Sequence, residues 1–458
     1  MIGYEFEFLV REGNRPMSRA KFEAFHSGLQ QNGWKAKFDP DSKGLAGSTK
    51  DGIYITTDDG VGLIEYNVPP TNTVQESHAL MTNLLNECSE ILKTIGCAII
   101  GTSVFPGDFD PLSVKCDASC KHPDCCSKSM IQYINAERFK EYHHYWFIIA
   151  ANHIWLDVPK KDITQYLKLY SRLAPINYAL FANGPIWQNQ DTGFQDWRDE
   201  AWRIPAEHSQ IPNDVNFYGL PKKEYPSTLD YFNYLLSLPP HFVSRDGISF
   251  RVQDRSKTMR DLIFSESTPA LWGHGGEFDA TPTIHDISEL QHSSYPHARL
   301  KFFLRDGCTV QEFRDAISNQ DEQALLNFFE KFCLEVRSVG AQKKDEVSVA
   351  PAFLLGLQQK LTQLEQLIGS QPYSFWVQMY DQVQKNGLNA VHQGVSIADV
   401  AEKVLALAQE GLVSRGKSEE AFIEPLISRL KSRINPATEL QTIWKTDGLE
   451  GIFEARDF

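Results

Sequence analysis

The strictest alternation of polar and apolar residues in this chain comes at its start. Residues 3–8 read Gly-Tyr-Glu-Phe-Glu-Phe, so two glutamates alternate with aromatic side chains. A period of two predicts a β-strand, here over residues 1–10, and places Glu5 and Glu7 on one face. Two like charges on one strand face repel each other. The pattern therefore indicates either a solvated face of an edge strand or a divalent cation bound by both carboxylates.

Periodicity and turn residues predict the other elements. Apolar residues at helical spacing predict helices over residues 18–33, 73–96, 136–146 and 161–181. Runs of β-favouring residues predict a hairpin over residues 53–66 and strands over residues 97–105, 147–158 and 298–305. From residue 309 to residue 444 the pattern is mostly helical. Together these elements predict an α+β fold, with an antiparallel sheet early in the chain and a helical C-terminal third.

The composition narrows the function classes. The 458 residues are 42% hydrophobic and 23% charged, as in ordinary soluble globular proteins. A formal net charge of −14 argues against nucleic-acid binding. No apolar stretch approaches the roughly 20 residues that span a bilayer, and no leader-like segment opens the chain. We therefore expect a cytoplasmic protein that binds neither nucleic acid nor membrane, while its oligomeric state is not predicted.

Four of the eight cysteines cluster between residues 116 and 126, beside one histidine. This supplies enough soft ligands for a tetrahedral zinc ion, although the spacing is not that of paired C-x₂-C motifs. A redox or disulfide site, or a loop of free thiols, fits the same pattern. The candidate ligands of this separate site are Cys116, Cys120, His122, Cys125 and Cys126.

Three further polar residues lie in or beside apolar runs. Asp58 begins the turn of the predicted hairpin, and Glu65 lies in the apolar return strand. A buried, unpaired carboxylate is costly, so Glu65 is expected to be protonated, paired or bound to a metal. His153 also lies in an apolar run, where a hydrogen-bonded core histidine is the alternative to a metal ligand. With Glu5 and Glu7, these residues favour one shared metal site.

Six short motifs, in order along nearly the whole chain, resemble those of the glutamate–cysteine ligases and related carboxylate–amine ligases. The first two are similar to a G-x-E-x-E strand and an I-T-x-D…L-E-x-x-x-P element. The third stands where the family has H-x-N or Q-x-N-x-D. The others resemble A-L-F-A/G-x-S-P, F-P-E-V-R-L-K and A-x-x-G-L-x-x-R…P-L…P-A-E. The motifs lie at residues 3–7, 55–70, 152–157, 177–185, 295–301 and 408–439.

The resemblance implies a glutamine synthetase-like fold, with an antiparallel sheet whose active-site face is lined by carboxylates. ATP would phosphorylate a carboxylate, usually the γ-carboxylate of glutamate, and an amine such as that of cysteine would attack the acyl phosphate. The substrates would be small amino acids or peptides. We expect one catalytic domain over residues 1–458, with a Cys-rich insertion at residues 106–130 and a mainly helical part at residues 309–458.

The resemblance also assigns residues. It implies that Mg²⁺, or Mn²⁺ in its place, is held by Glu5, Glu7, Asp58, Glu65 and His153. It places Arg299 and Lys301 at the ATP phosphates and the acyl phosphate, and Arg305 at the substrate carboxylate, because guanidinium groups match carboxylates in two-point contacts. The alternative for these three cations is an exposed row on a strand.

The sequence departs from the family pattern at two positions. Where the family has E-x-R near the end of the Arg299 strand, this chain has Phe303-Leu304-Arg305. If Arg305 replaces the arginine, Phe303 replaces an acidic metal ligand. His297 stands where the family has a glutamate. The loss of two carboxylates would weaken one metal position or change the metal or substrate.

Three hypotheses therefore stand. The first is an ATP- and Mg²⁺-dependent ligase that joins an amino-acid carboxylate to an amine. The second is a divergent relative that ligates another amino acid or peptide in secondary metabolism, or transfers a phosphoryl or nucleotidyl group to a protein. The third is an inactive binding protein that retains the fold. The grouping of Glu5, Glu7, Asp58 and Glu65 argues against the third.

Overall fold

The structure is a computed structural model that describes residues 2–39, 43–57, 60–109, 138–211, 218–240, 243–245, 248–272 and 276–458. Asp58 and the five candidate zinc ligands of the Cys-rich segment lie outside these residues, so both assignments stay predictions. In the described part of the chain, no helix is both long and apolar enough to cross a bilayer.

The strands of the described residues are labelled here in chain order. They are β1 (Ile2–Glu12), β2 (Arg15–Pro16), β3 (Lys35–Phe38), β4 (Leu45–Lys50), β5 (Ile53–Thr57), β6 (Leu63–Thr71), β7 (Cys97–Ile100), β8 (Asn152–Val158), β9 (Ile186–Trp187), β10 (Gln190–Asp191), β11 (Tyr218–Gly219), β12 (Val243–Arg245), β13 (Ile248–Val252), β14 (Thr268–Trp272), β15 (Glu277–Ala280), β16 (Tyr295–Pro296), β17 (Ala298–Leu304), β18 (Phe329–Val336), β19 (Val391–His392) and β20 (Val395–Ser396).

The α-helices lie mainly between the strands and at the C-terminal end. They are Arg19–Gln31, Val74–Thr94, Ile163–Phe181, Arg198–Glu207, Thr228–Ser237, Met259–Phe264, Ile284–Glu289, Val310–Ser318, Glu322–Phe328, Val349–Gln358, Leu361–Ile368, Tyr373–Asn386, Ile397–Arg415, Glu424–Ser432 and Pro436–Arg456. Short 3₁₀ segments are Lys140–Ile148, Lys160–Asp162, Leu290–His292, Lys344–Glu346, Gly387–Asn389 and Glu419–Ile423.

A ten-stranded antiparallel sheet organises the described residues. Its main path runs β17-β18-β8-β1-β6-β5-β4-β3, while β2 and β7 also pair with β1. A separate four-stranded sheet is formed by β12 to β15. The large sheet therefore puts the first strand of the chain at its centre, between β8 and β6.

The two faces of the large sheet differ in polarity because paired residues in antiparallel strands point to the same side. One face carries buried side chains such as Phe6, Tyr66 and Ile55, which pair across β1, β6 and β5. The other face carries Glu5 and Glu7, which pair with Asn67 and Glu65. The alternation predicted for residues 3–8 is thus confirmed, and both glutamates share the polar face.

Helices cover the sheet and bury its apolar side. The helices Val74–Thr94, Ile163–Phe181 and Val349–Gln358 all contact its strands. Thr73 caps the first of these helices and forms a capping box with Glu76, which satisfies backbone N–H groups that a helix start otherwise leaves unpaired.

The predicted α+β class and the helical C-terminal region are confirmed, and most predicted elements lie within a few residues of their expected bounds. The sequence analysis missed one strand of the large sheet. The chain after residue 309 contains β18, which pairs with β8 and β17 inside the large sheet. Its sequence, Phe-Glu-Lys-Phe-Cys-Leu-Glu-Val, is bounded by the helices Glu322–Phe328 and Val349–Gln358, and its β-favouring residues were hidden in a helical context.

The helices Val349–Gln358 and Ile397–Arg415 pack closely through two glycines. A Cβ atom added to Gly411 would overlap the carbonyl oxygen of Gly356, and one added to Gly356 would overlap that of Ala408. Both obstacles are backbone atoms, which cannot move aside as a flexible side chain can.

We therefore expect Gly411→Ala to destabilise the protein by about 1–3 kcal/mol, since overpacking a tight interior forces the backbone apart. Thermal unfolding followed by circular dichroism measures this. Val413→Ala, on the same helix but 57% exposed, is the control and should unfold close to the wild-type temperature. Equal midpoints for Gly411→Ala and the wild type would show that these helices do not need this close approach.

Candidate active site

Three potential metal ligands converge where β1, β8 and β18 lie side by side. Glu5 pairs with His153 across β1 and β8, and Glu335 of β18 pairs with Trp155, two residues further along β8. Residues two apart on a strand share a face, so all three side chains point to the polar side. Their ligand atoms lie within 4.8 Å of one another, and Glu5 Oε1 lies 2.9 Å from His153 Nδ1.

Two more carboxylates continue this cluster toward β6. Glu7 is buried, its Oε2 accepts a hydrogen bond from the backbone N–H of Ala151 at 2.7 Å, and its Oε1 lies 3.9 Å from His153 Nδ1. Glu65 is half-buried, pairs directly with Glu7 across the strands, and accepts a hydrogen bond from the Asn67 amide. Two carboxylates directly opposite each other repel, which favours a bound cation between them.

Three buried cations border the other side of the cluster. Arg299 donates two hydrogen bonds to Glu335, from Nε to Oε2 at 2.5 Å and from Nη2 to Oε1 at 3.0 Å. Arg337 Nη1 lies 3.4 Å from the same Oε2. Lys301 is only 7% exposed, and its Nζ lies 5.0 Å from the centre of the Trp155 ring, close enough for a cation–π contact. The polar face therefore changes from acidic at β6 and β1 to basic at β17.

These charges perturb one another. Burial, followed by the negative charge of Glu335, raises the pKa of Glu5 to about 7. Burial favours a raised pKa for Glu335 too, but the guanidinium groups of Arg299 and then Arg337 outweigh it and hold that pKa well below its usual range. Burial and then Arg337 hold the pKa of His153 well below its ordinary value. At neutral pH His153 is therefore uncharged, the state in which imidazole binds metals.

The cluster fits a divalent cation by its own chemistry. His153 Nε2 is buried and has no hydrogen-bond partner among the described residues. A buried polar atom without a partner is costly, and metal coordination is one way to satisfy it. Glu335 can still act as a ligand although Arg299 and Arg337 engage it, because a carboxylate offers about four lone-pair sites. Carboxylate oxygens with one imidazole suit Mg²⁺ or Mn²⁺.

Most residues singled out in the sequence meet on this one face. These are Glu5, Glu7, Glu65, His153, Arg299 and Lys301. Arg305 is not among them. It follows the end of β17, is 49% exposed and pairs with Glu312 at 3.3 Å. Arg305 follows Arg299 by six residues of extended chain, so the backbone positions of the two arginines are about 20 Å apart. The role at the substrate carboxylate expected for Arg305 is therefore withdrawn.

The structure brings in two residues that the sequence reading missed, Glu335 and Arg337. With Val336 between them they form the E-x-R pattern of the family. The sequence analysis looked for this pattern at Phe303–Arg305, which lies at the end of β17, the strand before β18 in the chain. Phe303 is 43% exposed and pairs with Lys331, so it does not replace a metal ligand. The E-x-R spacing itself was the signal that would have found the pair.

His297, the second departure from the family pattern, lies in its own polar cluster beside the site. It is fully buried, and its Nε2 shares a hydrogen bond with the Tyr380 hydroxyl. The Asp199 carboxylate, 3.6 Å from His297 Nε2, accepts hydrogen bonds from Tyr218 at 2.8 Å and from Gln384 at 3.1 Å. Burial favours a raised pKa for Asp199, but the nearby His297 outweighs this effect and the pKa of Asp199 lies well below its usual range. His297 therefore balances a buried carboxylate and leaves the metal cluster intact.

This second cluster is joined to the metal cluster through the backbone. The N–H of Arg337 donates to the carbonyl of His297 at 2.8 Å, and Arg198 donates to the carbonyl of Arg337 at the same distance. The Tyr295 ring lies under both Arg299 and Arg337, with the guanidinium carbons 4.6 and 5.1 Å from its centre. These contacts hold the two arginines at fixed positions beside Glu335.

Curated relatives of this chain are plant enzymes. It is 22% identical over 295 residues to glutamate–cysteine ligase B, chloroplastic, of Oryza sativa subsp. japonica, a match that covers 63% of this chain and 50% of the relative. It is 23% identical over 297 residues to the chloroplastic glutamate–cysteine ligase of Solanum lycopersicum, covering 62% and 46%. The chain thus spans about half the length of the curated relatives it matches. The cytoplasmic location expected from the sequence stays a prediction.

Solved structures share the fold. A glutamate–cysteine ligase from Francisella tularensis in complex with AMP matches with a TM-score of 0.57 and 11% identity, covering 99% of this chain and 86% of that one. A bifunctional glutathione synthetase from Pasteurella multocida matches with a TM-score of 0.53 and 12% identity, covering 99% and 51%. The model of glutamate–cysteine ligase family 2 matches residues 1–454. With a family match over almost its whole length, this chain belongs to glutamate–cysteine ligase family 2.

Proposed function

We propose that this protein is an ATP-dependent ligase that joins the carboxylate of an amino acid, glutamate through its γ-carboxylate, to an amine such as that of cysteine. The observation that carries this proposal is the convergence of Glu5, His153 and Glu335 within 4.8 Å, directly beside the buried cations Arg299 and Arg337. Membership of the family supports the same reaction class.

The proposed reaction has two steps. A carboxylate oxygen of the first substrate attacks the γ-phosphorus of ATP, and ADP leaves. The amine nitrogen of the second substrate then attacks the acyl carbon, phosphate leaves and the nitrogen loses a proton. Both steps concentrate negative charge on phosphate oxygens, so the site must supply fixed positive charge there.

Bound Mg²⁺ or Mn²⁺ would neutralise the phosphate oxygens and hold them in line with the attacking group. The residues that would hold one such ion are Glu5, His153 and Glu335. Glu7 and Glu65, which face each other across β1 and β6, would serve a second position. Asp58 remains a candidate for that position from the sequence alone.

The chain's own cations have separate tasks in this proposal. Lys301, which points to the polar face from β17, would contact the transferring phosphoryl group as a mobile point charge. Arg299 and Arg337 keep Glu335 ionised and in place, and the Nε–H of Arg337, which has no hydrogen-bond partner among the described residues, would be a donor for an anionic substrate. Lys301 thus keeps the phosphate role expected from the sequence, whereas Arg299 would position Glu335 and Arg337 would take the place that was expected for Arg305.

Two observations weaken the hypothesis of shifted chemistry. It was favoured by a lost metal ligand at Phe303, by a lost glutamate at His297 and by the Cys-rich insertion, most of which lies outside the described residues. Glu335 supplies the carboxylate that Phe303 lacks, and His297 is paired with Asp199 outside the metal cluster. We therefore favour amide ligation over phosphoryl or nucleotidyl transfer to a protein.

Substrate-dependent consumption of ATP is the direct test. With Mg²⁺ or Mn²⁺, glutamate and an amine from an amino-acid panel, we expect one ADP and one phosphate to be released for each amide formed. A coupled assay measures the ADP and the phosphate, and mass spectrometry measures the amide product. Release of AMP and pyrophosphate would instead identify nucleotidyl transfer. No ATP binding by calorimetry would leave only the inactive-fold hypothesis.

Loss of the Glu335 charge should weaken metal binding. We expect Glu335→Gln to weaken Mn²⁺ binding, measured by calorimetry, at least about 10-fold, because even groups behind a metal ligand contribute about 10–100-fold to affinity. Glu330→Gln, on the same strand but exposed, is the matched control. Glu335→Gln also leaves buried arginines without their partner and can lower stability. Glu5→Gln changes a half-buried ligand instead, so it should weaken Mn²⁺ binding while the melting temperature stays unchanged. Wild-type Mn²⁺ affinity in both variants would contradict the assignment.

The lowered pKa of Lys301 predicts that ATP binding depends on pH. Burial and then the nearby Arg299 lower the pKa of Lys301 to about 8, so its charge is present below that pH and is lost as the pH rises through it. We expect the affinity for Mg²⁺–ATP, measured by calorimetry, to fall between pH 7 and pH 9. Lys301→Met should bind weakly at every pH, and Lys301→Arg should keep its affinity at pH 9. A wild-type affinity that is flat over this range would exclude a role for the Lys301 charge in binding ATP.

A further inference from the structure

The backbone of Arg337 is held on both sides just after β18 ends at Val336. Its N–H donates to the carbonyl of His297 at 2.8 Å, and its carbonyl accepts from Arg198 Nη2 at the same distance. The first contact ties Arg337 to the residue before β17, and the second ties it to the start of the helix Arg198–Glu207. The position of this arginine therefore depends on residues outside the large sheet.

The side chain of Arg337 reaches the metal cluster from this fixed point. It is 5% exposed, and its Nη1 lies 3.4 Å from Glu335 Oε2 and 3.4 Å from His153 Nδ1. Its Nε–H is buried without a hydrogen-bond partner among the described residues. Leaving a buried donor of a charged group unpaired is costly, so this N–H marks a position that an anionic substrate would complete. A small movement of the Arg337 backbone would misplace this donor.

The imidazole of His297 is clamped by two other elements. Its ring centre lies 5.1 Å from that of Tyr218 on β11 and 5.0 Å from that of Tyr380 on the helix Tyr373–Asn386. Its backbone N–H donates to the carbonyl of Gly219 at 3.0 Å. The residue is fully buried, so neither its ring nor its carbonyl can shift unless these close-packed neighbours move too.

A chain of hydrogen bonds orients this imidazole. The Tyr380 hydroxyl contacts both His297 Nε2 and the Asp199 carboxylate. An ionised carboxylate can only accept and a tyrosine has one O–H, so Tyr380 donates to Asp199 and His297 Nε2–H donates to Tyr380. Asp199 directly follows Arg198 in the sequence. Two successive residues at the start of one helix thus reach both backbone groups of Arg337, one directly and the other through His297.

We propose that His297 is a positioning residue for Arg337, and that the chain of Asp199, Tyr380 and His297 sets where the Arg337 guanidinium meets the carboxylate of the first substrate. The inference rests on the proposed ligase function and adds the device that sets its affinity for the amino acid. The family pattern has a glutamate at position 297, and an ionised glutamate could not donate to Tyr380. This chain has a donor there, and Asp199 supplies the acceptor.

The contacts separate this role from that of Arg299. Arg299 donates two hydrogen bonds to Glu335 and holds that candidate metal ligand without help from His297. Loss of the His297 contacts should therefore leave the metal cluster in place and act on the substrate that Arg337 contacts. The expected signature is a higher KM for glutamate, with kcat, the KM for ATP and the affinity for Mn²⁺ close to wild type.

Steady-state kinetics of the full chain tests this with Tyr380→Phe, which keeps the ring and removes only the bridging hydroxyl. We expect the KM for glutamate to rise about 10-fold, as for the loss of one hydrogen bond to a charged group. Tyr170→Phe is the matched control. It removes another buried hydroxyl, which donates to the carbonyl of Leu354 at 3.4 Å, and should leave the KM for glutamate unchanged.

An exchange of charges provides a rescue. His297 Nε2 lies 3.6 Å from the Asp199 carboxylate, so His297→Glu places two carboxylates side by side and should raise the KM for glutamate more than Tyr380→Phe does. Adding Asp199→Asn removes this repulsion and supplies an amide donor for the new carboxylate. The double variant should recover most of the wild-type KM. His297→Gln keeps an N–H donor and should also stay near the wild-type value.

Melting temperatures separate positioning from stability. Lower melting temperatures with a wild-type KM for glutamate in Tyr380→Phe and His297→Glu would overturn the positioning role and leave the ligase function standing. Equal increases in the KM for glutamate and for ATP would also overturn it. If His297→Glu does not fold, Tyr380→Phe decides alone. A wild-type enzyme that releases no ADP with glutamate and any amine would overturn the ligase function, and the positioning role with it.

Discussion

The buried ion pair between Glu335 and Arg299 constrains the rest of this site. Glu335 is fully buried and Arg299 is 4% exposed, so neither charge can rely on water. Removing one partner of such a pair typically costs about 3–5 kcal/mol, because the other charge is left uncompensated. The pair crosses β17 and β18, and it therefore ties the basic edge of the sheet to the strand that supplies the third candidate metal ligand.

Register transmits this constraint across the sheet. Side chains alternate between faces with a period of two, so a slip of one residue in β8 would send His153 into the core and an apolar neighbour to the polar face. The apolar residues of β1 and β8, among them Phe6 and Ile154, are fully buried and hold the correct register. The hydrophobic face thus fixes the positions of the polar groups, although its side chains lie on the opposite side of the sheet from the candidate metal ligands.

Local patterns allowed part of the site to be predicted. Glu5 and Glu7 are visible because they break an aromatic strand, and Glu65 and His153 because each interrupts an apolar run. Glu335 interrupts the short apolar run of residues 332–336 in the same way, but Lys331 and Glu330 make the start of β18 as polar as a helix surface and a helix precedes it, so this run was not recognised as a strand. Its role depends on pairing with β8, about 180 residues earlier in the chain, and no local window contains that contact. Arg305 shows the reverse error: its residue type was suitable, but the strand ends before it.

The order of charges across the polar face gives the proposed reaction a direction. Cations lie at β17 and β18, carboxylates and His153 at β8, β1 and β6, and exposed aromatic rings at β5 and β3. In the proposed reaction an anionic amino acid would bind on the side of the cations, because guanidinium and ammonium groups pair with carboxylates. Under the proposed function, phosphoryl transfer would take place over β1 and β8, because Glu5 and His153 are directly paired there and lie between the carboxylates of β6 and the cations of β17.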